Sequence, residues 1–244
     1  MLGMMLVALV MGERLSVPRG ERRLLLWYSV LNVTGWMGLA TIALVWLSAS
    51  EGAIIAYTMP VWTALLAWPM LGEKLTLRRV LALVAGLVGV AVLMAGDGLE
   101  IGLAKLPGVA ILLAGAVLFA YGTVRTKLAP LSLSPTASVA WQVGIGCFPL
   151  LLAGLWLEKP DFSHLSLRGW LAMAYMAAIP LCLCYLSWFA ALRRLPAAAA
   201  AIGTLITPVI GVVAAALSLG EPLGWREVVA LGLTLIGIVL AVRD

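Results

Sequence analysis

Eight apolar runs, each fifteen to twenty-four residues long and separated by short charged turns, decide what this chain can fold into. They are Leu24–Leu47, Gly52–Leu71, Val80–Ala95, Leu106–Val124, Ala137–Leu157, Trp170–Leu192, Ala197–Leu219 and Val228–Val242. A helix rises 1.5 Å per residue, so about 20 apolar residues cross roughly 30 Å of hydrocarbon. Only 11% of the 244 residues are charged and 64% are hydrophobic, with a mean hydropathy of +1.10. A soluble domain carries about 25% charged residues, so this chain lacks the polar surface to cover a water-soluble globule. The fold class is an all-α polytopic membrane protein, with the lipid bilayer as its first partner. A ninth run, Leu2–Met11, is too short to cross and has no leading basic region to make it a signal peptide.

The turns set the orientation. On one side lie Arg14, Arg19, Arg22, Arg23, Lys74, Arg78, Arg79, Arg125, Lys127, Arg193, Arg194 and Arg243; on the other, only Lys105, Lys159, Arg168 and Arg226. The positive-inside rule makes the richer side cytoplasmic, and the C-terminus falls there. A net charge of +5 and a pI near 9.4 would suggest nucleic acid in a soluble protein. Here topology accounts for them, and no nucleic-acid partner is expected. Cys147, Cys182 and Cys184 all lie in apolar runs, which supports neither a disulfide framework nor a metal site.

The sequence repeats itself at an offset of 148 residues. Pro60 meets Pro208, Leu71-Gly72-Glu73 meets Leu219-Gly220-Glu221, Arg78 meets Arg226, and Gly89 meets Gly237. Shared apolar letters mean little in so hydrophobic a chain; shared Pro, Gly-Glu and Arg at one offset mean much more. The loop count puts Arg78 inside and Arg226 outside, so the two copies cross the membrane in opposite senses. Inverted repeats of this kind characterise many secondary transporters. The domain reading is an N-terminal repeat at 1–95, holding spans two to five, and a C-terminal repeat at 106–242, holding spans six to ten. On this offset the first span and part of the second are missing, about 40 residues in all.

Two stretches carry a family resemblance: AYTMPVWTALLAWPMLGEKL from Ala56 and GTLITPVIGVVAAALSLGEPLGWREV from Gly203. Each has a mid-span proline and, 13 residues on, the glutamate of a Gly-Glu pair that closes the span. In these the chain resembles the EamA family of the drug/metabolite transporter superfamily. The resemblance implies ten helices in two inverted five-helix halves, termini inside, an inner-membrane location and export or exchange of small metabolites. Amino acids, amphipathic drugs and nucleotide precursors all occur among relatives of that family.

No run holds an acidic, basic or histidine side chain near its centre. Such groups mark proton relays and ion coupling, and an intramembrane enzyme would need them or a metal. The reading is therefore a transporter, not an enzyme, with no cofactor and no metal. A non-transporting partner or an inactive truncated fragment is the alternative. The substrate cavity must be built from neutral polar and aromatic groups. Tyr28, Asn32 and Trp36 share one helical face by their i, i+4, i+8 spacing. Tyr57, Thr58, Tyr121, Trp141, Gln142, Tyr185, Thr204 and Thr207 complete the candidates. Pro60 and Pro208 are read as hinges, and Gly72, Glu73, Gly220 and Glu221 as a span-end motif. A carboxylate there opposes the helix dipole, so it needs an ion-pair partner, with Arg78 and Arg226 nearest, or the following helix to cap. Gly86, Gly89, Gly232 and Gly237 allow close helix approach within the bundle; a homodimer face is the other use for them. Trp27, Trp46, Trp156, Trp170 and Trp225 read as an interfacial belt.

Overall fold

The computed structural model describes residues 15–94, 103–158, 166–211 and 225–242, together with 5, 8, 9, 12 and 13. Among these residues every regular element is helical. The first span joins α1 (Arg22–Ser29), a π-helical segment (Val30–Gly35) and α2 (Trp36–Ala43). There follow α3 (Ala49–Ala56), α4 (Met59–Leu71), α5 (Leu77–Met94), α6 (Leu106–Leu128) and α7 (Pro135–Leu157). Next come α8 (Leu167–Ala178), a second π-helical segment (Ile179–Cys184), α9 (Tyr185–Arg194), α10 (Ala197–Gly203) and α11 (Trp225–Val242). Within the described residues each expected span falls on one helix or on a broken pair; the part of Ala197–Leu219 beyond residue 211 lies outside them.

Helix starts follow the local chemistry. The Ser134 hydroxyl accepts the Ala137 N–H at 3.2 Å, with Pro135 just inside the helix where its missing N–H costs nothing. Ser166 caps α8 in the same way through the Gly169 N–H. Ser48 and Glu51 form a reciprocal capping box at the start of α3.

The chain packs as two compact units, and each is assembled from two segments far apart in the sequence. One comprises Met1–Gly38 and Arg125–Arg194, the other Leu39–Val124 and Leu195–Asp244. The first unit has a core of Leu25, Tyr28, Leu131, Leu133 and Ala137, flanked by Trp141 and Ile145. The second centres on Ala82, Ile202 and Leu205, with Tyr57, Leu83, Leu87 and Leu240 against them. Its α5 and α11 lie in close contact. A Cβ added at Gly237 would stand 2.7 Å from the Ala82 carbonyl oxygen, and one at Gly89 would stand 3.0 Å from that of Ala230. Gly86 likewise faces Leu205, whereas Gly232 has open space beside it. Three of the four flagged glycines thus serve packing inside the second unit.

The spans are interrupted at matching places. α3 ends at Ala56 and α4 begins at Met59. Pro60 has no N–H and its ring collides with the carbonyl four residues back, so the ladder stops at Ala56 and Pro60 falls in the first turn of a new helix. α10 likewise ends at Gly203, four residues before Thr207, and a 3-10 turn at Thr204–Ile206 carries the chain to Pro208. The prolines do not bend one continuous helix; they restart it. The two π segments are the second matched pair. Val30 to Ile179 is a separation of 149 residues, one more than the repeat offset. At the offset itself Asn32 meets Pro180, which sits in the second π segment.

Large apolar side chains cover the outside. Trp27 is 63% exposed, Trp156 78% and Trp225 69%, with Trp46 and Trp170 also exposed. Three helical stretches in the described residues are long and apolar enough to cross a membrane: Arg19–Ala43, Leu103–Leu128 and Pro135–Leu157. Lipid is the solvent that such a surface requires, and the chain is a multi-pass membrane protein.

Candidate functional site

The π segment of the first span places Asn32 in the interior of the first unit, fully buried. Its Nδ2 donates to the Gln142 Oε1 at 3.1 Å and stands 3.3 Å from the Thr126 hydroxyl. Gln142, also fully buried, donates from Nε2 to the Ser138 hydroxyl at 3.1 Å, one turn earlier on α7. The Tyr185 hydroxyl donates to the Asn32 backbone oxygen at 3.0 Å, and its ring stands 6.3 Å from that of Phe189. The Thr34 hydroxyl donates to the Gly146 carbonyl at 2.7 Å. Asn32, Gln142, Ser138, Thr126 and Tyr185 thus form one neutral hydrogen-bonded chain. The Asn32 Oδ1 has no hydrogen-bond partner among the described residues. A buried acceptor left open costs about 1–3 kcal/mol, so its retention calls for an explanation.

Other candidates in this unit have packing duties. The Tyr28 hydroxyl lies 2.8 Å from the Arg125 carbonyl and 2.7 Å from that of Ala129, at the C-terminal end of α6. The Trp141 Nε1 donates to the Leu15 carbonyl at 2.9 Å. Trp36 is half-buried.

A second group lies in the other unit, around the restarted helices. The Thr58 hydroxyl donates to the Ile55 carbonyl at 2.6 Å and accepts the Trp62 Nε1–H at 3.2 Å. The Thr204 hydroxyl donates to the Ala201 carbonyl at 2.7 Å. Each threonine hydroxyl adds a second bond to the carbonyl three residues back that its own N–H also reaches at the break. Tyr57 and Pro208 are half-buried and Pro60 is buried, while Thr207 is exposed and Tyr121 is 38% exposed.

The span-end motif has a defined geometry. Gly72 takes φ 69°, a left-handed conformation natural to glycine, and stops α4. Glu73 is thereby turned toward α10, whose own start has Pro196 and no side-chain cap. Its carboxylate accepts the Ala197 N–H at 2.7 Å and the Ala198 N–H at 3.3 Å. Its cation is Arg79 at 3.8 Å, rather than Arg78. The carboxylate that looked misplaced at one helix C-terminus serves not the helix that follows, as expected, but the N-terminus of one 124 residues away. Gly220 and Glu221 lie outside the described residues, as does most of Leu2–Met11. Just ahead of the apolar run at Gly52, Glu51 pairs with Lys105 at 2.7 Å. The Lys105 ammonium, with the Ser48 N–H, holds the Glu51 carboxyl below its usual range. No cluster of His, Cys, Asp or Glu among the described residues is arranged to hold a metal.

Sequence reasoning did not single out Thr126, Ser138 or Thr34. Ser138 was within reach, since it precedes Gln142 by one helical turn.

A multi-pass helical bundle with a buried, neutral polar interior has the build of a carrier for small solutes. The EamA-like transporter family matches residues 1–95 and 106–243, and the chain belongs to that family. Among its relatives is the uncharacterized transporter YvbV of Bacillus subtilis, 32% identical over 80% of this chain and 63% of that protein. The chain thus spans under two thirds of that relative's length. A probable amino-acid metabolite efflux pump of Salmonella typhimurium is 27% identical over 80% of this chain and 67% of its own length. A solved crystal structure shares the fold with a TM-score of 0.85 at 17% identity, across 98% of this chain and 82% of that one. Both of these relatives bear the names of transporters, not enzymes.

Proposed function

We propose that the chain exports small metabolites, amino acids or amphipathic and aromatic solutes among them, by alternating access between two inverted repeats. It sits in the inner membrane with its C-terminus in the cytoplasm. The observation that carries this reading is the open Oδ1 of Asn32, at the end of a buried chain of neutral polar groups. A packing role would have no use for an acceptor that costs stability. A substrate N–H or O–H arriving at this oxygen recovers that cost on binding. The absence of charge in the chain suits a solute moved along its own gradient or in exchange for another. The matched π segments and restarted helices are places where spans yield without losing a whole turn of hydrogen bonds. The relative named as an amino-acid metabolite efflux pump is in keeping with this substrate range.

Efflux from proteoliposomes loaded with a mixed pool of amino acids and small metabolites tests the reading, with and without a pH gradient. The expected result is loss of at least one solute at a rate that Asn32→Ala cuts at least tenfold. Retention of the whole pool by a correctly inserted protein would overturn it.

A further inference from the structure

The second π segment ends at Cys184, and Tyr185 is the next residue, the first of α9. Its hydroxyl donates at 3.0 Å to the main-chain oxygen of Asn32, 153 residues earlier and inside the first π segment. The two segments correspond in the repeat to within one residue, Val30 against Ile179, so the bond joins matching places of the two repeats. A tyrosine hydroxyl inside a bilayer needs an acceptor. That need alone does not select this carbonyl among those of the neighbouring spans. At the repeat offset Tyr185 meets Met37, which has no hydroxyl to return the bond. The tie therefore runs once, from the second repeat to the first.

Asn32 is held from three helices. Its amide nitrogen reaches Thr126 on α6 and Gln142 on α7, and its main chain takes the Tyr185 hydroxyl from α9. The Tyr185 ring has its own support, 6.3 Å from the ring of Phe189 one turn on. A π turn is rare within an α-helix, so a widened turn persists where something outside the span favours it. One hydrogen bond shifts such an equilibrium by roughly 2- to 13-fold. Tyr185 supplies it only while the second π segment holds the start of α9 in place. Were that segment to tighten to α pitch with the same residues, α9 would turn relative to α8 and carry the hydroxyl away.

We infer that Tyr185 is a positioning residue that couples the two π segments, so that they widen and tighten together and Asn32 presents its amide only while both are wide. The coupling stands on geometry alone; its effect on solute binding rests on the transport reading.

Tyr185→Phe removes the hydroxyl and keeps the ring beside Phe189. Hydrogen–deuterium exchange of the full chain in nanodiscs reads both segments with no solute present. The expected result is exchange faster by roughly 2- to 13-fold in residues 30–36 and 179–185 alike, with α5 unchanged. Faster exchange confined to 179–185, or no change at 30–36, overturns the coupling. Replacing Val33 with its α-hydroxy acid makes the Asn32 carbonyl part of an ester, a weaker acceptor, with no side chain altered. It also removes one N–H, so the comparison is a cycle: the effect of Tyr185→Phe should shrink by about twofold or more in the ester protein. Equal effects in the two backgrounds overturn this bond as the link. With the mixed pool of amino acids and small metabolites as cargo, Tyr185→Phe should raise the half-saturating load of the solute moved by the same factor. The maximal rate should stay within about twofold, because fewer molecules are competent to bind while those that bind still turn over. An unchanged half-saturating load overturns the positioning of Asn32. Segments that loosen together in a protein that moves no solute keep the coupling and lose the transport reading. Transport with exchange altered only at 179–185 does the reverse.

Discussion

Asn32 and Gln142 show why single substitutions mislead in a buried polar chain. Asn32→Leu removes the donors but strands the Gln142 Oε1 without its partner. The expected cost is about 1–3 kcal/mol of stability, together with at least a tenfold loss of efflux. The double variant Asn32→Leu, Gln142→Leu removes both ends of that bond and should recover part of the stability. It should recover none of the efflux. Unfolding in detergent alongside efflux separates the two effects, and full return of transport in the double variant would reduce the chain to a packing device. Glu73 gives the complementary case. Glu73→Ala leaves two N–H groups of α10 uncapped and Arg79 without this carboxylate. A loss of about 1–3 kcal/mol follows from charge-assisted bonds at a helix start, read as a lowered melting temperature. Neither pairing was legible in the sequence. Reasoning from nearest neighbours offered Arg78, whereas the fold supplies Arg79 and a helix 124 residues away.

At the scale of the element, spans and breaks were legible and the π segments were not. A span announces itself by length and hydropathy, and a proline announces its own break through the N–H it lacks. A change from i−4 to i−5 hydrogen bonding alters neither composition nor hydropathy. Nothing in the residues from Val30 to Gly35 marks it except a polar Asn and Thr among apolar neighbours. A π segment holds extra residue per turn, so deleting Gly35 should return the span to α-helix. The flanking helices α1 and α2 then keep nearly their facing, and what closes is the widened turn that holds Asn32. The expected outcome is a chain that inserts normally and loses efflux at least tenfold; unchanged efflux would make the widened turn incidental.

At the scale of the whole molecule, the repeat was visible in the sequence, but the way it packs was not. Repeat boundaries run along the chain, whereas each compact unit gathers one segment from each half of it. Periodicity and offset say which residues correspond, not which ones touch. Co-expression of residues 1–98 and 99–244 as separate pieces should therefore restore efflux that neither piece supports alone. Activity from either piece by itself would contradict the interleaving. The same arrangement sets the order of events during synthesis. Met1–Gly38 belongs to a unit whose remaining residues begin at Arg125. At about 5–20 residues per second, the ribosome needs roughly 4–17 seconds to make the stretch between them. Through that interval Asn32 waits in the bilayer without Gln142, its amide exposed to lipid or to whatever chaperone holds the young span.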